Sequence, residues 1–482
     1  MARLALIAAL SSMTVLVSGC MVGPNYTRPP VAQPLQFKSG ATATSGPPVQ
    51  ADWWRLYGDA DLDQLIATAQ ASNQTLQQAV ARVDQARALA LVAGSFLYPT
   101  ITADPHYSRT TYSENRRGTL NGNRAQRRVT LNDFLIPIDL SYELDVWGRV
   151  RRSFESARAQ AAATAADLGV VRLVIETDVA LFYYSLRSLD AQVQILSDTV
   201  VAYREQVRLL SVQFRAGLVS PIVVSQAEAQ LETTLAQQRE AQRARADLEH
   251  ALAIVCGQAA PLFAVAPNPL HEASPPEVPA GLPSELLTRR PDVAEAEQNV
   301  VAANAQVGVA TANFFPRFTL TATAGLQSVD IASLFTWQSR AASIMPSVSI
   351  PIFEGGRLKA QLEATRAAYR ETVAGYVNQV LVAYGDVEDA LTDLRATSDE
   401  VQNLRRAVTA SREYLRLANV LYKQGLVDYL IVIDAERTLL ANEVSLAQMV
   451  NLQMAASIRL IKALGGGWNP AEVTASKVAR PE

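Results

Sequence analysis

Two stretches of the sequence are nearly 70 residues long and contain no proline. Residues 149–216 hold a single glycine, Gly169, and residues 357–424 repeat the length. Apolar residues spaced three and four apart predict a coiled-coil seam in each. A continuous helix of this length would span roughly 100 Å, more than one globular domain can enclose. The chain should therefore form long helices that stand side by side in a bundle or a tube. The predicted seams are Val193, Leu196, Val200, Tyr203, Val207, Leu210 and Phe214, and then Leu404, Val408, Ser411, Leu415, Ala418 and Tyr422.

The chain contains two copies of one unit. Residues 215–231 (RAGLVSPIVVSQAEAQL) align with residues 423–439 (KQGLVDYLIVIDAERTL) at a constant offset of 208. We therefore predict repeat 1 over 60–257 and repeat 2 over 288–466, with a Pro-rich connection at 258–287 and a tail at 467–482. Each repeat should run helix, strand, loop, strand, very long helix, tight turn, helix.

The N-terminus predicts export and lipidation. An apolar run from Leu4 to Val17 follows Arg3 and ends in Val-Ser-Gly-Cys at Cys20. The run is short for a transmembrane span, and small residues occupy the expected cleavage site. It resembles a bacterial lipobox, which implies a signal peptide at 1–19, a lipid on Cys20 and an extended segment at 20–59. An ordinary secretory signal is the alternative. Met21 in place of Asp indicates the outer membrane, by resemblance to lipoproteins in general.

Composition argues against several classes of site. Lys and Arg number 43 against 46 Asp and Glu, so no basic surface predicts nucleic-acid binding. Cys256 is the only other cysteine, and we predict a buried apolar residue rather than a reactive thiol. The three histidines show no metal-ligand spacing, and no glycine-rich phosphate loop is present. We predict no catalytic residue, no metal site and no cofactor apart from the lipid.

Four segments alternate between apolar and polar residues, as strands with one apolar face do. In residues 136–144, Ile, Leu and Tyr alternate with Asp139, Ser141 and Glu143. Similar runs of seven to ten residues occupy 101–108, 318–324 and 343–352, close to the 9–11 residues that a tilted strand needs to cross a bilayer. A soluble sandwich would alternate in the same way. However, only four strands are present, in two pairs separated by long helical sequence, and we predict that they cross lipid.

Four strands cannot close a barrel, for which about eight are the minimum. Open strand edges are not tolerated in lipid, so several chains must share one barrel. Two chains would supply eight strands and three would supply twelve. The polar face would then line an aqueous lumen, with Asp104, Asp139, Ser141 and Glu143 exposed to it.

Several motifs resemble one family. They are CMVGPNYTRP from Cys20, RRPDVAEAEQNVVAANAQVGVATANFFPRFTLTATAG at 289–325, IPIFEGGR at 350–357 and the GLVS and GLVD turns. Together they resemble the TolC-like outer-membrane factors, in the lipoprotein branch typified by OprM and NodT. The resemblance implies a mainly α homotrimer with a twelve-stranded membrane β-barrel continued by a twelve-helix coiled-coil α-barrel in the periplasm. It also implies a lipid-anchored outer-membrane channel for passive small-molecule efflux, served by a periplasmic adaptor and an inner-membrane pump of the RND type.

The two turns between long helices should form the periplasmic tip. Glycines at helix ends adopt left-handed conformations, and Ser220 before Pro221 predicts an N-cap. Asp428 occupies the corresponding place, so we predict a capping role first and an electrostatic role second. By the family resemblance, the tip turns contact the adaptor. Their residues are Gly217, Leu218, Ser220, Gly425, Leu426 and Asp428.

Leu430 and Asp434 lie four residues apart and should share a helix face. By resemblance they match an apolar ring and an acidic ring that narrow the tunnel end. Three Asp434 side chains brought together would repel and raise the pKa of at least one carboxyl. A solvated surface Asp is the alternative.

Two questions stay open at this level. Residues 108–128 carry six arginines and one Glu, which suits contact with lipopolysaccharide phosphates outside the cell or a solvated mobile loop. The exported substrate is also undetermined. For the function as a whole, the alternatives to small-molecule efflux are metal efflux, type I secretion, a periplasmic adaptor and a structural lipoprotein. The six Met residues are scattered and form no path for a soft metal ion.

Overall fold

The computed structural model describes residues 21–38, 50–113, 129–270, 274–278 and 283–469. The predicted signal peptide, Cys20, residues 114–128 of the Arg-rich loop and residues 470–482 of the tail lie outside the described residues. Within these ranges, no helix is both long and apolar enough to span a membrane.

Helices make up most of the described chain. The two longest, α3 (Arg149–Arg215) and α7 (Arg357–Lys423), contain 67 residues each, which confirms the predicted long helices to within one residue at their C-terminal ends. A 35-residue helix follows each of them. In chain order the helices are α1 (Ala60–Ser72), α2 (Gln74–Ser95), α3 (Arg149–Arg215), α4 (Pro221–Val255), the short α5 (Leu286–Arg289), α6 (Pro291–Ala312), α7 (Arg357–Lys423) and α8 (Tyr429–Ala463).

One antiparallel sheet contains all five described strands: β1 (Thr100–Ala103), β2 (His106–Tyr112), β3 (Val129–Leu144), β4 (Arg317–Ser328) and β5 (Arg340–Ser349). Both β1 and β2 pair with β3, and the order continues through β4 to β5. The two pieces keep one register on β3, because Ala103 lies opposite Ile138 and His106 opposite Leu135. The predicted first strand is therefore a single path interrupted at Pro105, which has no N–H to donate.

The predicted fourth strand is too long at its C-terminal end. The strand stops at Ser349, so Ile350 and Ile352 lie beyond it. Pro351 stands between them and cannot donate a ladder hydrogen bond, which explains the early end.

The long helices α3 and α7 each take part in two layers. Near the sheet, the packing order is α2, α3, α6, α7. Farther from the sheet, it is α4, α3, α8, α7. The chain turns from strand to helix at Gly148 and Gly356, whose φ angles of 81° and 88° lie in the left-handed region that favours glycine.

The predicted coiled-coil seams are largely buried. In α3, Leu196, Val200, Tyr203 and Leu210 are each at most 4% exposed. In α7, Val408, Ser411 and Ala418 are also buried. The prediction is wrong for Phe214, which is 44% exposed. Phe214 lies in the last turn of α3, next to the point where the chain reverses, so fewer neighbouring helix turns are available to cover it.

Midway along the helices, an apolar core surrounds α3. Trp53, Ile66, Tyr183 and Ile458 are at most 1% exposed there, and Cys256 packs with them. Burial raises the pKa of the Cys256 thiol to about 11, so the thiol stays protonated and unreactive at neutral pH. The predicted structural role of Cys256 is confirmed.

Residues 21–38 form an extended strap that lies along α6. At its start, Val22 N donates to Trp147 O at 3.1 Å, and Gly23 lies so close to Gly308 that a Cβ would sit 2.6 Å from the Gly308 Cα. Farther along, Arg28 donates to both carboxylate oxygens of Glu297. The strap therefore runs from the sheet end of the helices towards their middle.

Candidate functional sites on the sheet and at the helical tip

The sheet has one polar face. The β3–β4 register places Asp139, Ser141 and Glu143 opposite Thr323, Thr321 and Thr319. Asp139 accepts a hydrogen bond from Thr323 Oγ1 at 2.5 Å. Asp104 lies between β1 and β2, and their continuous register places it on this same face. The structure therefore brings the four predicted lumen residues onto one face.

Glu143 lies at the end of this face nearest the helices. Its carboxylate accepts two hydrogen bonds from Arg149 at 2.8 and 2.7 Å, and Arg317 lies 3.9 Å away. This pairing balances its charge. Among the described residues no Lys or Arg forms an ion pair with Asp139, so Asp139 contributes more negative potential to the polar face than Glu143 does.

The opposite face of the sheet is apolar and uncovered by the described chain. Ile101 is 64% exposed, Ile138 54%, Ile344 72% and Val348 55%. A soluble sandwich would bury these side chains against a second layer, so that alternative does not fit. On β3 the apolar row runs from Phe134 to Leu144, which at about 3.3 Å per residue and a tilt near 40° is a band roughly 25 Å tall.

Aromatic residues mark the lower border of this band. Trp147 stacks on Phe315 with 4.7 Å between ring centroids. Its Nε1 donates to Pro316 O at 2.9 Å. Amphipathic rings of this kind favour the boundary between hydrocarbon and water.

Both tip turns have the same backbone geometry. Gly217 and Gly425 have φ angles of 73° and 72°. The next residue in each turn closes the helix end, since Leu218 N donates to Gln213 O and Leu426 N to Leu421 O, both at 2.9 Å. This is the predicted glycine-terminated helix end. Leu218 and Leu426 are 74% and 67% exposed, which makes them apolar knobs at the end of the molecule.

The caps of the two following helices differ. Ser220 accepts a hydrogen bond from Ile222 N at 3.4 Å, as predicted. Asp428 occupies the N-cap position of α8, but its side chain makes no capping hydrogen bond. The predicted capping role of Asp428 is therefore wrong. Its carboxylate is exposed near the positive end of the helix dipole, so only the electrostatic role is left.

Leu430 and Asp434 share the exposed side of α8, whereas Val432, Ile433 and Ala435 on the other side are buried. The hydroxyl of Tyr414 in α7 donates a hydrogen bond to Asp434 Oδ2 at 3.1 Å. This bond raises the pKa of the Tyr414 phenol. Tyr414 could not be predicted from the sequence, because its contact with Asp434 joins two helices across the hairpin.

Glu436 is a second residue that the sequence analysis missed. It stands among Tyr429, Val432, Ile433 and Leu440, which form the buried stripe of α8. Burial raises the pKa of the Glu436 carboxyl to about 7. An acidic residue at a seam position is the signal that could have identified it.

The described residues contain no cluster of three or more His, Cys, Asp or Glu side chains that could hold a metal ion. The polar groups of the sheet and the tip are spread along surfaces rather than gathered in a pocket with a nucleophile and a base. Such surfaces suit passage or contact rather than covalent chemistry.

A partial sheet with a membrane-height apolar face, continued by helices of 67 residues, defines the class of membrane channel subunits with a long helical extension. The chain belongs to the outer membrane efflux protein family, whose profile matches residues 65–258 and 282–466. It is therefore an outer-membrane channel protein with its helices in the periplasm, and not an enzyme.

Relatives cover nearly the whole chain. Cation efflux system protein CusC of Escherichia coli O6:H1 is 29% identical over 95% of this chain and 97% of its own length. Toluene efflux pump outer membrane protein TtgF of Pseudomonas putida is 32% identical over 95% and 96%. The solved outer-membrane channel OprN superposes with a TM-score of 0.87 at 29% identity, covering 93% of this chain and all of OprN.

Proposed function

We propose that three copies of the chain form one outer-membrane channel that passively conducts small molecules from a periplasmic pump to the exterior. One observation carries this proposal: the sheet and both helix layers each have two open edges, and the edges of the three layers lie on the same two sides of the chain. The sheet ends at β1/β2 and at β5. The helix layer beside it ends at α2 and α7, and the lower layer ends at α4 and α7. Repeating the chain around an axis joins each edge of one copy to the opposite edge of the next.

Exposed apolar residues support this closure. On α2, Leu89 is 59% and Val92 57% exposed, and on α7, Leu381 is 56% and Val382 45% exposed. Single exposed apolar residues are ordinary, but these lie on the two helices that would meet between copies. Their burial would add to the pairing of β5 with the neighbouring β1 and β2.

The width of the barrel lumen favours three copies. Counting β1 and β2 as one strand, two copies supply eight strands and three supply twelve. An eight-stranded barrel is largely filled by its own side chains, whereas wider barrels enclose a channel. Three copies therefore suit conduction. The four helices α3, α4, α7 and α8 of each copy would then give a twelve-helix tunnel.

We assign the periplasmic gate to Leu430 and Asp434. Both side chains are exposed within one copy, so a neighbouring copy can approach them across the axis. The exposed Leu218 and Leu426 suit apolar contact with a periplasmic adaptor, and Asp428 adds a negative charge beside Leu426. An inner-membrane pump of the RND type is the proposed source of substrate.

The substrate class proposed is small toxic organic molecules. The name of TtgF specifies toluene and that of CusC specifies cations. No cluster of described acidic, His or Cys side chains forms a metal relay, which favours the organic class. Metal efflux and type I secretion are the competing channel functions.

We also propose that Cys20 carries the lipid. The next residue, Met21, contacts Gly148 at the junction between sheet and helix. The strap therefore holds the chain beside Trp147, at the predicted inner border of the membrane, where an acyl chain can enter the bilayer.

Conductance in planar bilayers tests the channel directly. Purified protein should form stable ion-conducting pores, and a cysteine pair between β5 and β1 should cross-link only between copies, giving a covalent trimer. A single subunit that is monodisperse and silent in bilayers would refute the proposal. Accumulation of dyes and organic toxicants, or of metal salts, in a deletion strain would then separate the two substrate classes.

A further inference from the structure

The two faces of the sheet differ in the charged residues that they carry. The polar face holds Asp133, Asp139, Glu143 and Arg317. On the apolar face, the register places only two charged residues of the described strands, Arg109 opposite Asn132 and Arg340 opposite Leu326. Both lie near the strand ends that point away from the helices, and both are arginines.

The position of these arginines limits what they can contact. A charge that faces lipid is unfavourable unless it reaches the headgroup layer. Because the helices extend into the periplasm, the far end of the sheet reaches the outer leaflet. The anionic groups there are lipid phosphates, and a guanidinium binds phosphate through two parallel N–H donors.

Arg340 is held ready for such a contact. Its Cζ lies 3.3 Å from the centroid of the Trp337 ring, which is 72% exposed. The loop that carries Trp337 is fixed by its own hydrogen bonds, including Ser339 Oγ to Ser333 O at 2.6 Å and Thr336 Oγ1 to Ser333 O at 2.7 Å. No described carboxylate forms a salt bridge with Arg340 or Arg109, so both charges are available.

The same loop exposes apolar side chains. Ile331 is 62% and Phe335 77% exposed, and both lie in the hairpin loop between β4 and β5. A cation stacked on an aromatic ring, with apolar side chains in the same short loop, complements a ligand that has both a phosphate and acyl chains. A free phosphate ion would make no use of the apolar side chains.

We propose that Arg340, stacked on Trp337, binds the phosphate of a glycolipid in the outer leaflet, and that Arg109 provides a second such contact at the opposite edge of the sheet. This inference rests on the proposed insertion of the closed sheet in the membrane. It gives the loop between β4 and β5 a role in fixing the barrel at the outer surface.

Lipid binding to the purified full-length protein tests the proposal. Native mass spectrometry would measure the apparent Kd for diphosphoryl lipid A, for the same lipid without phosphates, and for inorganic phosphate alone. Arg340→Gln should weaken the binding of diphosphoryl lipid A about tenfold, because a charged bidentate hydrogen bond is lost. Arg340→Lys should weaken it less, since the charge remains. Arg317→Gln, on the polar face at the other end of the hairpin, should leave it unchanged.

Several outcomes would overturn the inference. One is unchanged lipid A affinity in Arg340→Gln and in the Arg109→Gln/Arg340→Gln double variant. Another is equal binding of dephosphorylated lipid. If millimolar inorganic phosphate displaces the lipid, the site is a free phosphate site instead. Trimer mass and circular dichroism check folding, and Arg340→Lys provides a measurable variant if the Gln variant misfolds. Conductance of the same samples separates the two proposals, because a conducting Arg340→Gln trimer with normal lipid binding refutes this inference alone.

Discussion

The two helical hairpins of the chain share a backbone but differ in chemistry. The first joins α3 to α4 and the second joins α7 to α8, with equal helix lengths and matching left-handed glycines at the turn. At the offset of 208, Asp428, Leu430, Asp434 and Glu436 of the second hairpin replace Ser220, Ile222, Gln226 and Glu228 of the first. The second hairpin therefore carries more acidic residues, and one of them, Glu436, is half-buried. We infer that the first hairpin keeps one conformation and that the packing of the second hairpin changes with pH.

The largest expected difference between the hairpins concerns pH. Burial raises the pKa of Glu436 from 4.5 to about 7, whereas the corresponding Glu228 is exposed. A raised carboxyl pKa stabilises the fold fully below the unfolded value, and this stability is lost as pH rises through about 7. The packing of α8 on α3 should therefore weaken by as much as about 3 kcal/mol between pH 4.5 and 8.

Hydrogen exchange of the amides around Val432 and Leu440 would measure this loss. Exchange should accelerate as pH rises, after correction for the intrinsic rate, and Glu436→Gln should remove the acceleration. Glu228→Gln is the matched control and should behave as the wild type does. A pH response that survives Glu436→Gln would place the switch elsewhere.

The gate gives the next largest difference. Leu430→Ala together with Asp434→Ala removes an apolar ring and an acidic ring from the proposed constriction and also the acceptor of the Tyr414 hydrogen bond. Single-channel conductance in planar bilayers should rise severalfold, because both steric and electrostatic barriers are lost. Selectivity for cations should fall in the same recordings.

The first hairpin supplies the matched control for the gate. Ile222→Ala with Gln226→Ala changes the corresponding positions without removing a charge. Its conductance should stay near the wild-type value. Equal increases in the two double variants would show that the hairpins contribute alike, and unchanged conductance in the Leu430/Asp434 variant would remove these residues from the gate.

Features that depend on local periodicity could be predicted from the sequence more fully than features that depend on a single proline or on distant contacts. Long helices and alternating strands follow from local periodicity, so their existence and the bounds of the long helices could be predicted. The strands extend beyond the alternating runs, since β3 already begins at Val129 and β4 ends only at Ser328. The uncovered apolar face also follows, because four alternating strands cannot bury it alone. The interruption at Pro105 and the early end of β5 are both proline effects that alternation does not register.

Features that depend on distant contacts were missed. The strap has no periodicity, and its close approach of Gly23 to Gly308 joins positions far apart in the chain. Tyr414 contacts Asp434 across a hairpin, and the cap at Asp428 depends on a side-chain orientation that residue type does not determine. Residue type indicated which side chains could form a hydrogen bond or a cap. Only the packing of the helices determined which of these hydrogen bonds form.

The smallest expected difference separates the two caps. Ser220→Ala removes the side-chain hydrogen bond that caps the N-terminus of α4 and should lower the stability of the first hairpin by about 1 kcal/mol. Asp428→Ala removes no capping hydrogen bond, so it should cost only the helix-dipole term, about 0.5 kcal/mol at low salt and less at high salt. Hydrogen exchange in the first turns of α4 and α8 at two ionic strengths would distinguish them. A salt-independent loss in Asp428→Ala as large as that in Ser220→Ala would mean that the carboxylate caps the helix in solution, and that the two hairpins are chemically more alike than their structures indicate.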